Sequence, residues 1–135
     1  MPTFSTYVNK VGRVDDMPKA LPVIDMSAPV CCAPVAAAPV DDAAALEIAL
    51  RLKAIADPVR VKLLSLLLTS PAGAENTGDL AGAVGLAEST VSHHLGQLKK
   101  AGLIESERRG MNTYHHAHRE ALSALCLVLD PNCCR

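Results

Sequence analysis

Five cysteines are the residues of this 135-residue chain whose type and spacing most directly suggest chemistry. Cys31-Cys32 and Cys133-Cys134 are adjacent pairs towards the two ends of the chain, and Cys126 stands alone. Thiolates select soft ions: three of them suit pyramidal arsenite or antimonite, and three or four also suit cadmium, lead or zinc. Adjacent cysteines share one ion only where the backbone bends between them, which a flexible arm allows. The two pairs are therefore candidate ion ligands.

The single cysteine has a competing structural role. Cys126 lies four residues after Leu122, on the apolar face of the last predicted helix, where a free cysteine packs as a small hydrophobe. This spacing favours a core or interface position and makes Cys126 the weaker ligand candidate. The terminal pair can bind an ion, undergo redox chemistry or be inert. The predicted metal ligands are Cys31, Cys32, Cys133 and Cys134.

The composition bounds the fold and the compartment. Half of the residues are hydrophobic, with two Tyr, one Phe and no Trp, which suits aliphatic helix packing better than an aromatic-rich sheet sandwich. The formal net charge of -1 excludes DNA binding through a large overall positive charge, so any DNA contact must come from a local group of residues.

Prolines interrupt the apolar stretch 27–40, so we expect no membrane span, no signal peptide and no membrane partner. We expect a cytoplasmic protein, in which cysteines are seldom structural disulfides.

Three segments follow from the pattern along the chain. Residues 1–40 show no helical or strand period and repeat Ala-Pro-Val three times, which predicts a flexible, extended arm around the first cysteine pair. Residues 41–130 carry helical periodicity and predict one DNA-binding domain, as argued below. Residues 131–135 form a short cysteine-containing tail.

Apolar spacing and capping residues predict a mainly α domain with a small β-hairpin. Asp41 or Asp42 caps the first helix, Asp57-Pro58 starts the second, and Thr77 caps the third. The remaining predicted elements are a turn at Gly85, a helix from Glu88 to Ala101, strands from Leu103 to Arg108 and from Asn112 to His116, and a helix from Arg119 to Leu129. This order is that of a winged helix-turn-helix with a two-stranded wing.

One side of the helix Glu88–Ala101 is suited to contact DNA. Val91, Leu95 and Leu98 mark its buried face, and the opposite face is polar. Short hydroxyls and an amide at a helix start reach phosphates and base edges in a major groove. The polar residues of that face are Ser89, Ser92, His93, Gln97 and Lys100.

The predicted hairpin adds positive charge beside this helix. Arg108 and Arg109 lie at its tip, where they would contact the DNA backbone. The alternative is an ordinary solvated helix and hairpin, which the charge pattern alone favours. The complete order of elements and the polar helix face favour DNA binding instead. His93 and His94 are adjacent and point to different sides, so we assign His93 to DNA and His94 to a partly buried packing position.

The sequence resembles the ArsR/SmtB family of repressors over about residues 45–128. The matching stretches are LKAIADPVRVKLL at 52–64, ESTVSHHL at 88–95, LKKAGLI at 98–104, the Arg-Arg-Gly wing at 108–110 and Tyr114. The resemblance implies a homodimer, joined mainly through its first and last helices, on near-palindromic double-stranded operator DNA with half-sites ~34 Å apart. The resemblance also implies that the helix Glu88–Ala101 reads the DNA sequence, and we call it the reader helix. The DNA-binding residues that it implies in this helix are Ser89, Thr90, Ser92, His93 and Gln97.

The common sensing sites of that family are absent or broken. Residues 75–80 lack the Cys-x-Cys of many arsenic and cadmium sensors, and His118 with Glu120 lacks the paired spacing of the zinc and nickel members. The arm pair instead resembles a subset of arsenite sensors, in which it joins a third cysteine. We therefore expect a repressor released by arsenite or antimonite, with cadmium, lead or zinc as alternative inducers. Ala87 stands where the family commonly has a serine, which removes a helix cap.

Alternatives from other classes remain open. A thiol redox sensor on the same scaffold would form disulfides at Cys31-Cys32 or Cys133-Cys134. A small thiol reductase is disfavoured, because the chain has no Cys-x-x-Cys, no glycine-rich phosphate loop and no strand-led nucleophile motif, so we expect no enzyme. A purely structural interaction module would leave the reader helix and the wing unexplained.

Overall fold

The computed structural model describes Met26, Pro29 and residues 34–130. Four predicted ligands lie outside these residues: Cys31, Cys32, Cys133 and Cys134. The tail at 131–135 and most of the arm also lie outside them, so the predicted division of the chain stays a prediction. No helix within the described residues is long and apolar enough to cross a membrane.

Five helices and three strands make up the described part of the chain. The helices are α1 (Asp42–Ile55), α2 (Pro58–Thr69), α3 (Thr77–Val84), α4 (Glu88–Lys100) and α5 (Arg119–Leu129). The strands are β1 (Glu75–Asn76), β2 (Ile104–Arg109) and β3 (Asn112–Ala117). They form one antiparallel sheet in the order β1-β3-β2. Because α3 and α4 form a helix-turn-helix and β2 and β3 form the wing, the predicted winged helix-turn-helix fold is confirmed.

Aspartate caps set the starts of the first two helices, as predicted. The Asp41 carboxylate accepts a hydrogen bond from the Ala44 amide at 2.8 Å. The Asp57 carboxylate accepts one from the Val59 amide at 2.9 Å, and Pro58 occupies the first turn, where its missing N–H costs nothing. The break between α1 and α2 turns the chain so that α2 contacts α3, α4 and β3.

The prediction that Thr77 caps the third helix is wrong. The cap is Asn76, whose side-chain oxygen accepts a hydrogen bond from the Asp79 amide at 2.7 Å. Thr77 is the first helical residue, and its hydroxyl is instead hydrogen-bonded to His115 Nε2 at 2.8 Å. Both residue types cap helices well, so the tertiary partner of Thr77 decides which one does so here.

The sheet contains a third strand where the sequence analysis expected a two-stranded hairpin and a loop. β1 pairs with β3 through Glu75 opposite His115 and Asn76 opposite Tyr114. A two-residue strand is too short to show the alternation by which strands are predicted. The added strand directly precedes α3 and pairs with β3, so it connects the start of α3 to the wing.

Aliphatic side chains form a core around α4. Burying one such side chain contributes about 1.5–3 kcal/mol, so the apolar side of α4 holds the helix in place and leaves its polar side for other contacts. The side chains that are almost completely buried include Leu63, Leu67, Leu80, Val91, Leu98, Leu103 and Ile104.

The described part of the arm contacts the domain at two points. Met26 packs against the core, and its carbonyl oxygen occupies the position that a Cβ at Gly102 would need. Gly102 directly follows the end of α4 and has a φ of +74°. The Val35 amide donates a hydrogen bond to the Val128 carbonyl of α5 at 2.7 Å. One end of the reader helix and one end of α5 therefore both touch the arm.

Just before α1 the arm folds into a turn. The Ala37 amide donates a hydrogen bond to the Pro34 carbonyl at 2.9 Å, and residues 35–37 form the turn. The Ala-Pro-Val repeats predict an extended conformation, which this stretch does not adopt. The hydrogen bond from Val35 to α5 supplies the tertiary contact that the local pattern could not indicate.

Candidate nucleic-acid interface

The polar side of α4 faces away from the core. Its apolar side is buried at Val91, Leu95 and Leu98, as the spacing predicts. Among the predicted DNA-binding residues, Gln97 is half-buried against the protein. The other four are exposed, namely Ser89, Thr90, Ser92 and His93. A duplex can therefore reach the first two turns of α4 without any change in packing.

The start of α4 lacks a side-chain cap. Ala87 is the N-cap residue and makes no side-chain hydrogen bond to the helix, as the departure from the family pattern predicts. Glu88 follows in the first turn, where its negative charge interacts favourably with the positive end of the helix dipole. Its carboxylate also lies beside Gly78 in the first turn of α3, 2.8 Å from where a Cβ at Gly78 would be. Glu88 thus places its charge near the N-termini of both helices.

His94 lies in a partly buried packing position on α4, as the sequence analysis predicts. Its side chain is half-buried, and the Arg60 Nε–H donates a hydrogen bond to His94 Nδ1 at 3.2 Å. The same guanidinium donates to the Ala54 carbonyl of α1 at 3.2 Å. These contacts tie α1, α2 and α4 together on the side opposite the polar face.

The wing presents its two arginines to solvent. β2 extends through Arg109, so only Gly110 and Met111 form the turn, and Gly110 has a φ of +63°. The Arg109 guanidinium lies 4.9 Å from the centre of the Tyr114 ring and 3.1 Å from a Glu107 oxygen. An exposed ion pair of this kind contributes little, so the Arg109 side chain can exchange Glu107 for a phosphate.

Arg108 is the other arginine of the wing tip. It is exposed, and its Nε–H donates a long hydrogen bond of 3.4 Å to the Gly110 carbonyl. No ion pair neutralises it within the described residues. The wing therefore carries two cations next to the polar side of α4.

His115 is a residue that the sequence analysis missed. It is buried in the middle strand of the sheet, where Nε2 is hydrogen-bonded to the Thr77 hydroxyl at 2.8 Å and Nδ1 to the Ser106 hydroxyl at 2.7 Å. Burial, and then the positive charge of Lys99, lower the pKa of His115 below its usual 6.5. A neutral imidazole therefore joins α3 to both strands of the wing. Both faces of β3 carry polar residues, so no hydrophobic alternation indicates that His115 points inward.

The described residues contain only part of the predicted ion site. Cys126 is half-buried on α5 and is disulfide-bonded, whereas its place on the apolar face predicts a free cysteine packed in the core or at an interface. The four other cysteines of the chain all lie outside the described residues. Within the described part of the chain, no group of three or more His, Cys, Asp or Glu side chains could hold a metal ion.

Comparison with known proteins connects this interface to bacterial regulators. The model of the family described as "Bacterial regulatory protein, arsR family" matches residues 57–106. HTH-type transcriptional regulator NmtR of Mycobacterium tuberculosis is 40% identical over 73 residues, covering 54% of this chain and 58% of NmtR. The chain thus spans less than two thirds of NmtR. Transcriptional repressor SdpR of Bacillus subtilis is 37% identical over 70 residues, covering 52% of this chain and 74% of SdpR.

A solved structure shows the same architecture. The homodimeric winged helix-turn-helix DNA-binding domain Mb0332 of Mycobacterium bovis, described as a possible ArsR-family transcriptional regulator, superposes with a TM-score of 0.54. It is 32% identical, and the match covers 68% of this chain and 85% of that domain.

Proposed function

Because the chain belongs to the arsR family of bacterial regulatory proteins, we propose that it is a transcriptional repressor released from operator DNA by arsenite or antimonite. The observation that carries the DNA-binding part is the exposed polar side of α4 beside the two wing arginines. Its relatives are described as transcriptional regulators rather than enzymes. A cytoplasmic location, in which the Cys126 disulfide would be reduced to a thiol, fits this function.

The proposed DNA contacts divide between groove and backbone. Short hydroxyl side chains and His93 at the start of α4 contact base edges and phosphates in the major groove, with Gln97 at its edge. Arg108 and Arg109 contact phosphates from the wing. The hydroxyl residues are Ser89, Thr90 and Ser92.

A homodimer supplies the second reader helix. Leu50 on α1, and Leu127 and Leu129 on α5, are large apolar residues that a single copy leaves exposed. Pairing two copies through these helices would cover them and place two α4 helices on one face of a duplex. Half-sites one helical turn apart, ~34 Å, then match the two-fold symmetry. The homodimeric Mb0332 domain supports this arrangement.

The proposed inducer site combines thiols of the arm and tail, with α5 nearby. Arsenite or antimonite takes three thiolates, and cadmium, lead or zinc takes three or four. The hydrogen bond from the Val35 amide of the arm to the Val128 carbonyl, two residues after Cys126, supports a site at α5. The proposed ligands are Cys31, Cys32, Cys133 and Cys134, with Cys126 as a further thiolate once reduced.

The DNA-binding proposal is tested with the reduced full-length protein. Duplexes selected from a random pool are titrated by fluorescence anisotropy, and we expect a two-fold-symmetric site bound by two copies. Ser92→Ala and His93→Ala should each weaken binding about ten-fold. Ser65→Ala, an exposed serine of α2, is the matched control and should bind as the parent does. Failure to select any duplex would contradict the repressor assignment.

The inducer proposal is tested on the same duplex. Arsenite and antimonite should release it at stoichiometric concentration, and cadmium, lead and zinc are the comparison ions. Cys31→Ser with Cys32→Ser should abolish release while leaving DNA affinity unchanged, because the arm cysteines are ligands and not DNA contacts. DNA binding that ignores all five ions would contradict an ion-responsive repressor.

The disulfide at Cys126 favours one second candidate, a thiol redox-sensing repressor on the same scaffold. In that case peroxide would release DNA by oxidising thiols to a disulfide, and dithiothreitol would restore binding. Cys126→Ser should then remove the peroxide response. Release by arsenite under fully reducing conditions would instead favour the ion sensor.

A further inference from the structure

An open gap separates α4 from the wing. It has a volume of about 200 Å³ and is lined on the helix side by Ser92, Gly96 and Lys99, and on the sheet side by Thr113 and His115. We infer that this gap seats one phosphate of the DNA backbone, held by Lys99, Ser92 and Thr113. The inference rests on the proposed function and adds two DNA-contacting residues, Lys99 and Thr113, that the sequence analysis did not assign.

Three donors around the gap lack a partner among the described residues. The hydroxyls of Ser92 and Thr113 make no hydrogen bond, and Lys99 makes no ion pair, within the described part of the chain. The other two hydroxyls that line the gap, on Thr77 and Ser106, are already hydrogen-bonded to His115. The gap therefore offers one ammonium and two hydroxyl donors to an incoming acceptor, and no carboxylate lines it.

The charge of the gap fits a singly charged oxyanion. Among the described residues, Lys99 is the only cation that lines the gap. The imidazole of His115 on the opposite wall is kept neutral by burial and by the charge of Lys99, which lower its pKa. One fixed positive charge matches the single negative charge of a phosphodiester. Gly96 has no atom within 4 Å of where its Cβ would lie, so the helix wall leaves room for the phosphate oxygens.

The path of a duplex explains why this phosphate belongs to DNA. A helix in the major groove and a hairpin beside it lie on either side of one sugar-phosphate backbone. With α4 in the groove and the wing arginines on the far side, that backbone has to pass over the space between them. Free inorganic phosphate has the same chemistry but no such constraint, so the experiment separates the two sources.

The salt dependence of duplex binding tests the phosphate seat, by which we mean the gap between α4 and the wing with one backbone phosphate bound in it. Each phosphate neutralised by a lysine contributes about -0.9 to the slope of log affinity against log salt. Because each of the two bound copies contributes one Lys99, we expect Lys99→Gln to reduce the magnitude of the slope by about 1.8 on every duplex sequence. Lys62→Gln removes the same charge from an exposed position on α2 and should leave the slope unchanged. Thr113→Val should weaken binding about ten-fold with an unchanged slope, because it removes a hydrogen bond and no charge.

Each failure has a distinct meaning. A parent protein that binds no duplex contradicts the proposed function itself. A parent that binds DNA while Lys99→Gln and Lys62→Gln share one slope overturns only the phosphate seat. If Lys99→Gln and Lys62→Gln share one slope while inorganic phosphate without DNA binds the parent but not Lys99→Gln, the seat belongs to the free ion and the DNA source is overturned.

Discussion

Alanine at Gly102 should cost more stability than alanine at another glycine with the same backbone conformation. Gly102 has a φ of +74°, and the Met26 carbonyl occupies the place of the missing Cβ. Gly85, at the end of α3, has a φ of +73° and nothing within 4 Å of its Cβ position. The two substitutions therefore share the strain of a left-handed alanine and differ in the contact with the arm.

The expected difference follows from those two contributions. A left-handed alanine costs about 1–2 kcal/mol, so Gly85→Ala should lower the free energy of unfolding by that amount. Gly102→Ala carries the same strain and also pushes Met26 off the domain. Full burial of a methionine contributes about 1.5–3 kcal/mol, and Met26 is only partly buried, so its displacement should cost roughly 1 kcal/mol more.

Urea unfolding monitored by circular dichroism measures the difference, since the chain has no tryptophan for fluorescence. The midpoint should shift further for Gly102→Ala than for Gly85→Ala at an unchanged denaturant slope. Met26→Ala should lose part of the same energy, and combining it with Gly102→Ala should be less than additive. Equal midpoints for the two glycine variants would refute the contact between the arm and the end of α4.

Two further predictions concern the start of α4 and the buried histidine. Ala87→Ser should restore the missing cap and raise the free energy of unfolding by ~0.5–2 kcal/mol, whereas Ala72→Ser in the exposed loop should not; thermal unfolding of both variants decides. His115 has a pKa below its usual 6.5, so the unfolded chain takes up its proton at higher pH than the folded one. The contribution of His115 to the free energy of unfolding should be complete above pH 6.5 and fall as the pH drops towards the lowered pKa. Urea midpoints measured between about pH 8 and pH 5 should therefore fall less steeply for His115→Gln than for the parent.

Local signals were sufficient for most of the fold. Asp57-Pro58 starts α2 and Gly85 ends α3, and at both of these ends the capping interactions involve only residues close in sequence. The buried side of α4 follows from the spacing of its apolar residues, which also leaves Ser92 and His93 exposed. Such features need no knowledge of distant partners, and the sequence predicts them correctly.

The remaining features depend on partners far apart in the chain. Thr77 and His115 are 38 positions apart, and their hydrogen bond moves the helix cap to Asn76. β1 exists only because β3 lies beside it, and two residues carry no period of their own. The gap beside Lys99 likewise forms only when α4 and the wing have packed, so no sequence pattern indicates it.

The contacts of the arm connect the cysteines to the helix that is proposed to bind DNA. In the sequence, Cys31 and Cys32 lie between Met26, which touches the end of α4, and Val35, which is hydrogen-bonded to α5. Cys126 lies on α5, two residues before the carbonyl that accepts that bond. An ion that changes the spacing between the arm thiols and α5 must therefore act on a segment attached to the reader helix. A ligand shifts an equilibrium only through contacts that differ between two states. The contact of the Met26 carbonyl with Gly102 is one that the proposed ion binding would change.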